Sequence, residues 1–95
     1  MTQRNDNTDE AAAEAALLRK VKWKCRRGMR ELDRMLERYL DMRWSSAPTA
    51  ERDDFLHLLE TEDDKLFQWL MVYEECTDER RRGTIELIRA LPPAL

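Results

Sequence analysis

Few side chains in this 95-residue chain could do covalent chemistry. His57 is the only histidine, set in Phe55-Leu56-His57-Leu58-Leu59, where a helix would leave it on the surface or at the edge of a core. Cys25 and Cys76 show, with His57, neither the CxxC nor the HxxxH spacing of a metal site. Lys22, Lys24, Arg26 and Arg27 surround Cys25, and nearby cations lower a thiol pKa. Its place on an apolar stripe favours a packed, inert thiol instead. No glycine-rich loop follows a strand, so nothing could cradle a pyrophosphate. Trp23, Trp44 and Trp69 could stack on a base or a flavin, but core packing or interface anchoring is the commoner use of tryptophan in a helical domain. No nucleophile–base pair is left, and the sequence does not read as an enzyme.

The remaining constellation is Arg26-Arg27-Gly28-Met29-Arg30-Glu31. A glycine between arginines at a helix–helix corner leaves a spot without a side chain, ringed by forked donors. Another protein's backbone could approach there, oriented by Arg27, Arg30 and Glu31. The plainer alternative is a glycine that ends a helix, with Arg27 and Glu31 pairing four residues apart.

Helices must position this corner. Charged residues are 39% of the chain and hydrophobic ones 42%, with 2 Gly and 3 Pro, which suits a short-looped helical protein. A chain of this size buries about 65% of its surface, enough for one core but not for two domains or an enclosed cofactor chamber. Asp9 is a fair N-cap, and Ala13, Leu17, Leu18, Val21 and Cys25 fall on one helical stripe with Trp23 off it. Met29, Leu32, Met35, Leu36, Tyr39 and Leu40 form a second stripe, opposite side-by-side rows of Arg30–Arg34–Arg38 and Asp33–Glu37–Asp41. The stripes are nearly in phase, but one helix from 10 to 44 would be about 50 Å long, too long for so small a domain. Gly28 is the residue best able to break it. Ser45-Ser46-Ala47-Pro48 reads as a loop, and Thr49 as the cap of a helix that buries Phe55, Leu56 and Leu59. Thr61-Glu62-Asp63-Asp64 resembles a capping box for a helix with Leu66, Phe67, Leu70 and Met71 inward. Thr77 or Asp78 opens the last helix, with Ile85, Ile88 and Leu91 inward and Pro92-Pro93 at its end. The expected fold is all-α: one small domain of about five short helices over residues 9–95, after a disordered tail at 1–8.

Net charge is −3, but residues 17–44 sum to +6 and residues 45–79 to −9. The halves could attract each other or present two faces to a partner. A sequence pI near 5.2 speaks against nucleic acid as that partner. No apolar run could span a bilayer, and the acidic N-terminus resembles neither a secretory signal nor a mitochondrial transit peptide. A cytoplasmic location follows as the expectation, with both cysteines as free thiols.

Trp23-Lys24-Cys25-Arg26-Arg27-Gly28-Met29-Arg30-Glu31-Leu32-Asp33 resembles the signature of the SdhE family, the succinate dehydrogenase assembly factors. The family's Arg-Gly-x-x-Glu motif is matched by Arg27, Gly28 and Glu31. A second block resembles the family in order and spacing: Leu58-Leu59-Glu60, Asp63-Asp64, then Leu66-Phe67-x-Trp69-Leu70-Met71. The likeness extends from about residue 15 to 91 and leaves out the acidic, alanine-rich N-terminal extension. The resemblance implies a small all-helical protein that binds the flavoprotein subunit of succinate dehydrogenase, and in bacteria also that of fumarate reductase. It implies that the protein promotes covalent attachment of FAD to a histidine of that subunit while holding no cofactor stably itself. The reacting histidine would be the partner's, so His57 is not a candidate. The implied partner-binding surface is Arg27, Gly28 and Glu31, with Met29 and Arg30 added by adjacency. A monomer is expected, with a homodimer as the alternative. Two other readings stand beside this one: an antitoxin-like regulatory binding protein, and a helical nucleic-acid binder using residues 17–44.

Overall fold

The computed structural model describes residues 6–92. Within them the chain forms five α-helices and one short 3₁₀ turn, with no strand: α1 Asp6–Lys24, α2 Arg30–Met42, the 3₁₀ turn Trp44–Ser46, α3 Thr49–Leu58, α4 Asp63–Leu70 and α5 Glu79–Ala90. The all-α expectation holds. No helix is long and apolar enough to cross a membrane among the described residues.

The apolar stripe of α2 places it at the centre, against α4 and α5, while α3 packs on α5. Leu32, Leu36, Tyr39 and Leu40 from α2 meet Phe55 and Leu58, Leu66 and Leu70, and Ile85 and Ile88 in one core. Tyr39 stacks on Phe55 with ring centroids 4.1 Å apart, and Trp44 meets the same phenylalanine edge-on at 6.1 Å. Such aromatic pairs are worth about 0.5–1.5 kcal/mol beyond the area they bury. The Tyr39 hydroxyl donates to Glu51 at 2.8 Å, and Arg43 donates to both oxygens of that carboxylate at 2.8 and 2.7 Å. Burial and the Glu51 hydrogen bond push the Tyr39 phenol up, while Arg43 holds the Glu51 carboxyl below its ordinary value.

α1 departs from its expected start. It begins at Asp6 rather than after a cap at Asp9, so residues 6–8 of the tail expected at 1–8 are helical, and residues 1–5 lie outside the described residues. Its apolar stripe is used only in part: Val21 and Cys25 are buried and Leu18 half-buried, whereas Ala13 and Leu17 are exposed. Only the C-terminal turns lie on the core. The earlier half is tethered by Glu14, which accepts from Trp44 Nε1 at 3.2 Å and from Arg52 Nη1 at 3.1 Å. Arg52 also lies over the Trp44 ring, 4.5 Å from its centroid.

The expected caps are shifted by one residue in two places. Pro48, not Thr49, holds the N-cap position of α3, because its extended backbone aims its carbonyl at the Arg52 amide, 3.0 Å away. Glu62, not Thr61, precedes α4, and no capping box forms there. The Thr61 hydroxyl is buried without a partner, while its carbonyl is bound by a distant arginine described below. Asp78 caps α5, accepting from the Arg80 and Arg81 amides at 3.1 and 3.5 Å. At the end of α4 the Tyr73 amide donates to the Gln68 carbonyl at 2.9 Å and the Val72 amide to that of Trp69 at 3.2 Å. That is a Schellman pattern, and it places the β-branched Val72 at φ 65°, a position that favours glycine or asparagine.

Candidate functional site

The corner between α1 and α2 is built by residues 25–29. The last turn of α1 tightens, with the Cys25 amide shared between the Val21 and Lys22 carbonyls at 3.1 Å each and the Arg26 amide on Trp23 at 3.1 Å. The chain then turns through Gly28 at φ 81°. Asp33, one turn into α2, reaches back to hold this turn: its carboxylate accepts from the Arg27 amide at 3.0 Å and the Gly28 amide at 3.1 Å. A carboxylate at a helix N-terminus is also favoured by the helix dipole. Gly28 therefore breaks the helix as expected, but as the pivot into α2 rather than as the residue that ends α1. It is exposed, and a Cβ built there would meet nothing within 4 Å.

Arg27 points the other way. Its side chain is 12% exposed and crosses to the turn between α3 and α4. Nη1 donates to the Thr61 carbonyl and to Asp63 Oδ1, each at 2.9 Å, and Nη2 donates to the Leu59 carbonyl. Nε donates to the Lys24 carbonyl at 2.9 Å. Planar guanidinium geometry suits this because its forked donors serve several acceptors at once. The i,i+4 pair of Arg27 with Glu31 does not form, since the guanidinium is committed to the α3–α4 turn.

The five residues singled out in sequence thus divide by direction. Gly28, Arg30 and Glu31 face solvent, and neither of the two charged side chains has an ion-pair partner among the described residues. Met29 is half-buried at the N-cap position of α2 and packs on the core. Arg27 fastens the corner from behind. Sequence reasoning missed Asp33 and Asp63 as parts of this assembly. The spacing puts Asp33 in a solvated row of charges, but it is half-buried and turned toward the corner, and the expected pairs of that row with Arg30, Arg34 and Arg38 are not made among the described residues. The usable signal for Asp63 is that it lies in the second block of the family resemblance while Arg27 lies in the first.

Two other groups resolve against chemistry. Cys25 and Cys76 are free and buried. Burial pushes the Cys25 thiol up to about 12, outweighing the opposite pull of Arg27, so at neutral pH it stays protonated. His57 is half-buried near the end of α3, with Nδ1 3.8 Å from a Glu60 oxygen. No group of three His, Cys, Asp or Glu side chains could hold a metal ion among the described residues.

Residues 19–92 match the protein family described as "Flavinator of succinate dehydrogenase". The chain belongs to this family. It is 50% identical to the FAD assembly factor SdhE of Xylella fastidiosa (strain 9a5c) over 90 residues, 95% of this chain and 93% of that one. Over 71 residues it is 37% identical to the FAD assembly factor SdhE of Yersinia pestis, covering 75% of this chain and 81% of the relative. The SdhE of Vibrio cholerae serotype O1 is 42% identical over 57 residues, 60% of this chain and 66% of that protein. No solved structure gives a significant match. The family is one of assembly factors rather than catalysts.

Proposed function

We propose that this protein docks on the flavoprotein subunit of succinate dehydrogenase and promotes the covalent attachment of FAD to it, with Gly28, Arg30 and Glu31 as the exposed face of the docking corner and Arg27 and Met29 holding that corner in place. The observation that carries the reading is family membership over residues 19–92, joined to an exposed glycine with open space above it. The flavoprotein subunit of fumarate reductase is a second client in the same proposal. The reacting histidine and the flavin belong to the partner; this chain holds no cofactor and acts in the cytoplasm as a monomer.

A protein without reactive groups can accelerate such a step only by differential affinity. It binds better to the arrangement of the flavoprotein in which flavin and histidine are in near-attack geometry, and so raises the population of that arrangement. Glu31 and Arg30 set the orientation by charge, and Gly28 admits close approach of the partner's backbone.

Flavin fluorescence of the denatured flavoprotein subunit tests this, because covalent flavin survives denaturation and free flavin does not. Cells lacking the gene should show a weaker band, restored by the wild-type protein. Gly28→Asn and Gly28→Arg separate backbone from obstruction. Asparagine tolerates the left-handed conformation. Arginine adds a strain of about 1–2 kcal/mol there and a side chain projecting into the docking space. Restoration by Gly28→Asn but not by a folded Gly28→Arg is the expected result. Full restoration by Gly28→Arg would overturn the docking role of the corner, and an unchanged band in the deletion strain would overturn the function.

A further inference from the structure

Beside the Gly28 corner lies a groove of about 380 Å³, lined by Trp23, Lys24, Arg26, Arg27, Leu56, Leu59 and Glu60. Trp23 is 75% exposed at the last turn of α1, although tryptophan is usually largely buried. Leu56 is half-buried and Leu59 buried, so the groove has an apolar side facing α3. The rim is basic. Lys24 and Arg26 are exposed and have no ion-pair partner among the described residues, as is true of nearby Lys22 and Arg30. Arg27 is already neutralised by Asp63, and the single carboxylate of the lining, Glu60, lies beside His57.

From this juxtaposition we infer that the Trp23 groove is a second docking subsite, and that it takes an acidic segment of the flavoprotein subunit bearing an apolar side chain flanked by carboxylates. This rests on the proposed function and extends its surface beyond the five corner residues. The apolar side chain lies between the Trp23 ring and the leucines, and the carboxylates meet Lys24 and Arg26. An aromatic anchor with a charged rim is the composition in which a few residues carry most of an interface's energy. Arg26 and Arg27 of the groove directly precede Gly28 in the chain, so the groove adjoins the corner.

Binding of purified flavoprotein subunit to wild type, Trp23→Ala, the Lys24→Glu/Arg26→Glu pair and Glu10→Gln tests the inference, with far-UV circular dichroism as the check on folding. Trp23 is exposed and makes no ring pairing among the described residues, so its removal leaves the helices intact. Trp23→Ala should weaken binding about tenfold or more. The charge reversal should weaken it and flatten its dependence on salt, while Glu10→Gln, exposed on α1 and outside the groove lining, stays at the wild-type affinity. Equal affinities for all four proteins would overturn the groove while leaving the function standing. Absence of binding by the wild type would overturn both. Sedimentation of each protein alone gives a further arm: a wild-type dimer converted to monomer by Trp23→Ala would overturn the inference in favour of a second copy as the occupant.

Discussion

Replacing Arg27 by alanine removes a side chain that ties four acceptors from two distant parts of the chain. The guanidinium binds the Lys24, Leu59 and Thr61 carbonyls and Asp63, and the side chain as a whole is 12% exposed. Hydrogen bonds from a charged donor are worth about 1.5–3 kcal/mol net each, but they do not add here. Asp63 is 46% exposed and recovers water when its partner leaves, as the turn carbonyls do in part. The loss then comes to about 3 kcal/mol, roughly two charge-assisted bonds at the low end of that range. For a domain of this size each kcal/mol lowers Tm by about 4–8 °C, so Arg27→Ala should melt about 12–24 °C below wild type. Arg27→Lys keeps the charge near Asp63 but cannot span the same acceptors, so it should fall between the two. Asp63→Asn, which leaves the carbonyl bonds in place, should cost about 1 kcal/mol or less. Urea and thermal unfolding followed at 222 nm give the three values. A Tm for Arg27→Ala within about 3 °C of wild type would refute the fastening role and return Arg27 to the docking surface.

Three further outcomes follow from individual groups. Val72→Asn removes a β-branched residue from a left-handed position and should raise stability by about 1 kcal/mol, read as a higher urea midpoint; a lower midpoint would mean that Val72 makes compensating contacts. Cys25 should resist alkylation by iodoacetamide in the native state at pH 7 and react only after unfolding, because its thiol is protonated and buried; rapid native labelling would contradict this. Glu51→Gln should be less stable than wild type at pH 7. Because the folded Glu51 pKa lies below 4.5, its contribution is full above about that pH and is lost as the pH falls through the lower folded value, so the gap between the two proteins should close in acid. A gap constant from pH 7 to 3 would show that the Arg43 and Tyr39 bonds to Glu51 add nothing through its charge.

The parts of the molecule legible in sequence are those fixed by periodicity. The α2 stripe is buried as its spacing requires, Trp23 lies off the α1 stripe and is exposed, and Gly28 alone could make the turn between the helices. What sequence could not convey was the direction of charged side chains. Arg27, Arg30 and Glu31 look alike in a row of surface residues, and only the arrival of the α3–α4 turn beside Arg27 decides that it faces inward. Thr61 differs from its expected capping role for the same reason. Its local pattern is that of a cap, yet its carbonyl serves an arginine 34 residues away. The stripe of α1 misled differently, since an apolar spacing shows which face could be buried and not how far the bundle extends along it.

Arg27's reach to the Leu59, Thr61 and Asp63 segment has a consequence for when the docking corner exists. On a growing or partly unfolded chain, residues 27–31 are already present, but nothing behind them is in place to receive the guanidinium. The corner acquires its shape only once the third and fourth helices have come round to close it. Under the proposed function, a chain that has not yet closed this contact carries the motif without the shape that docking needs.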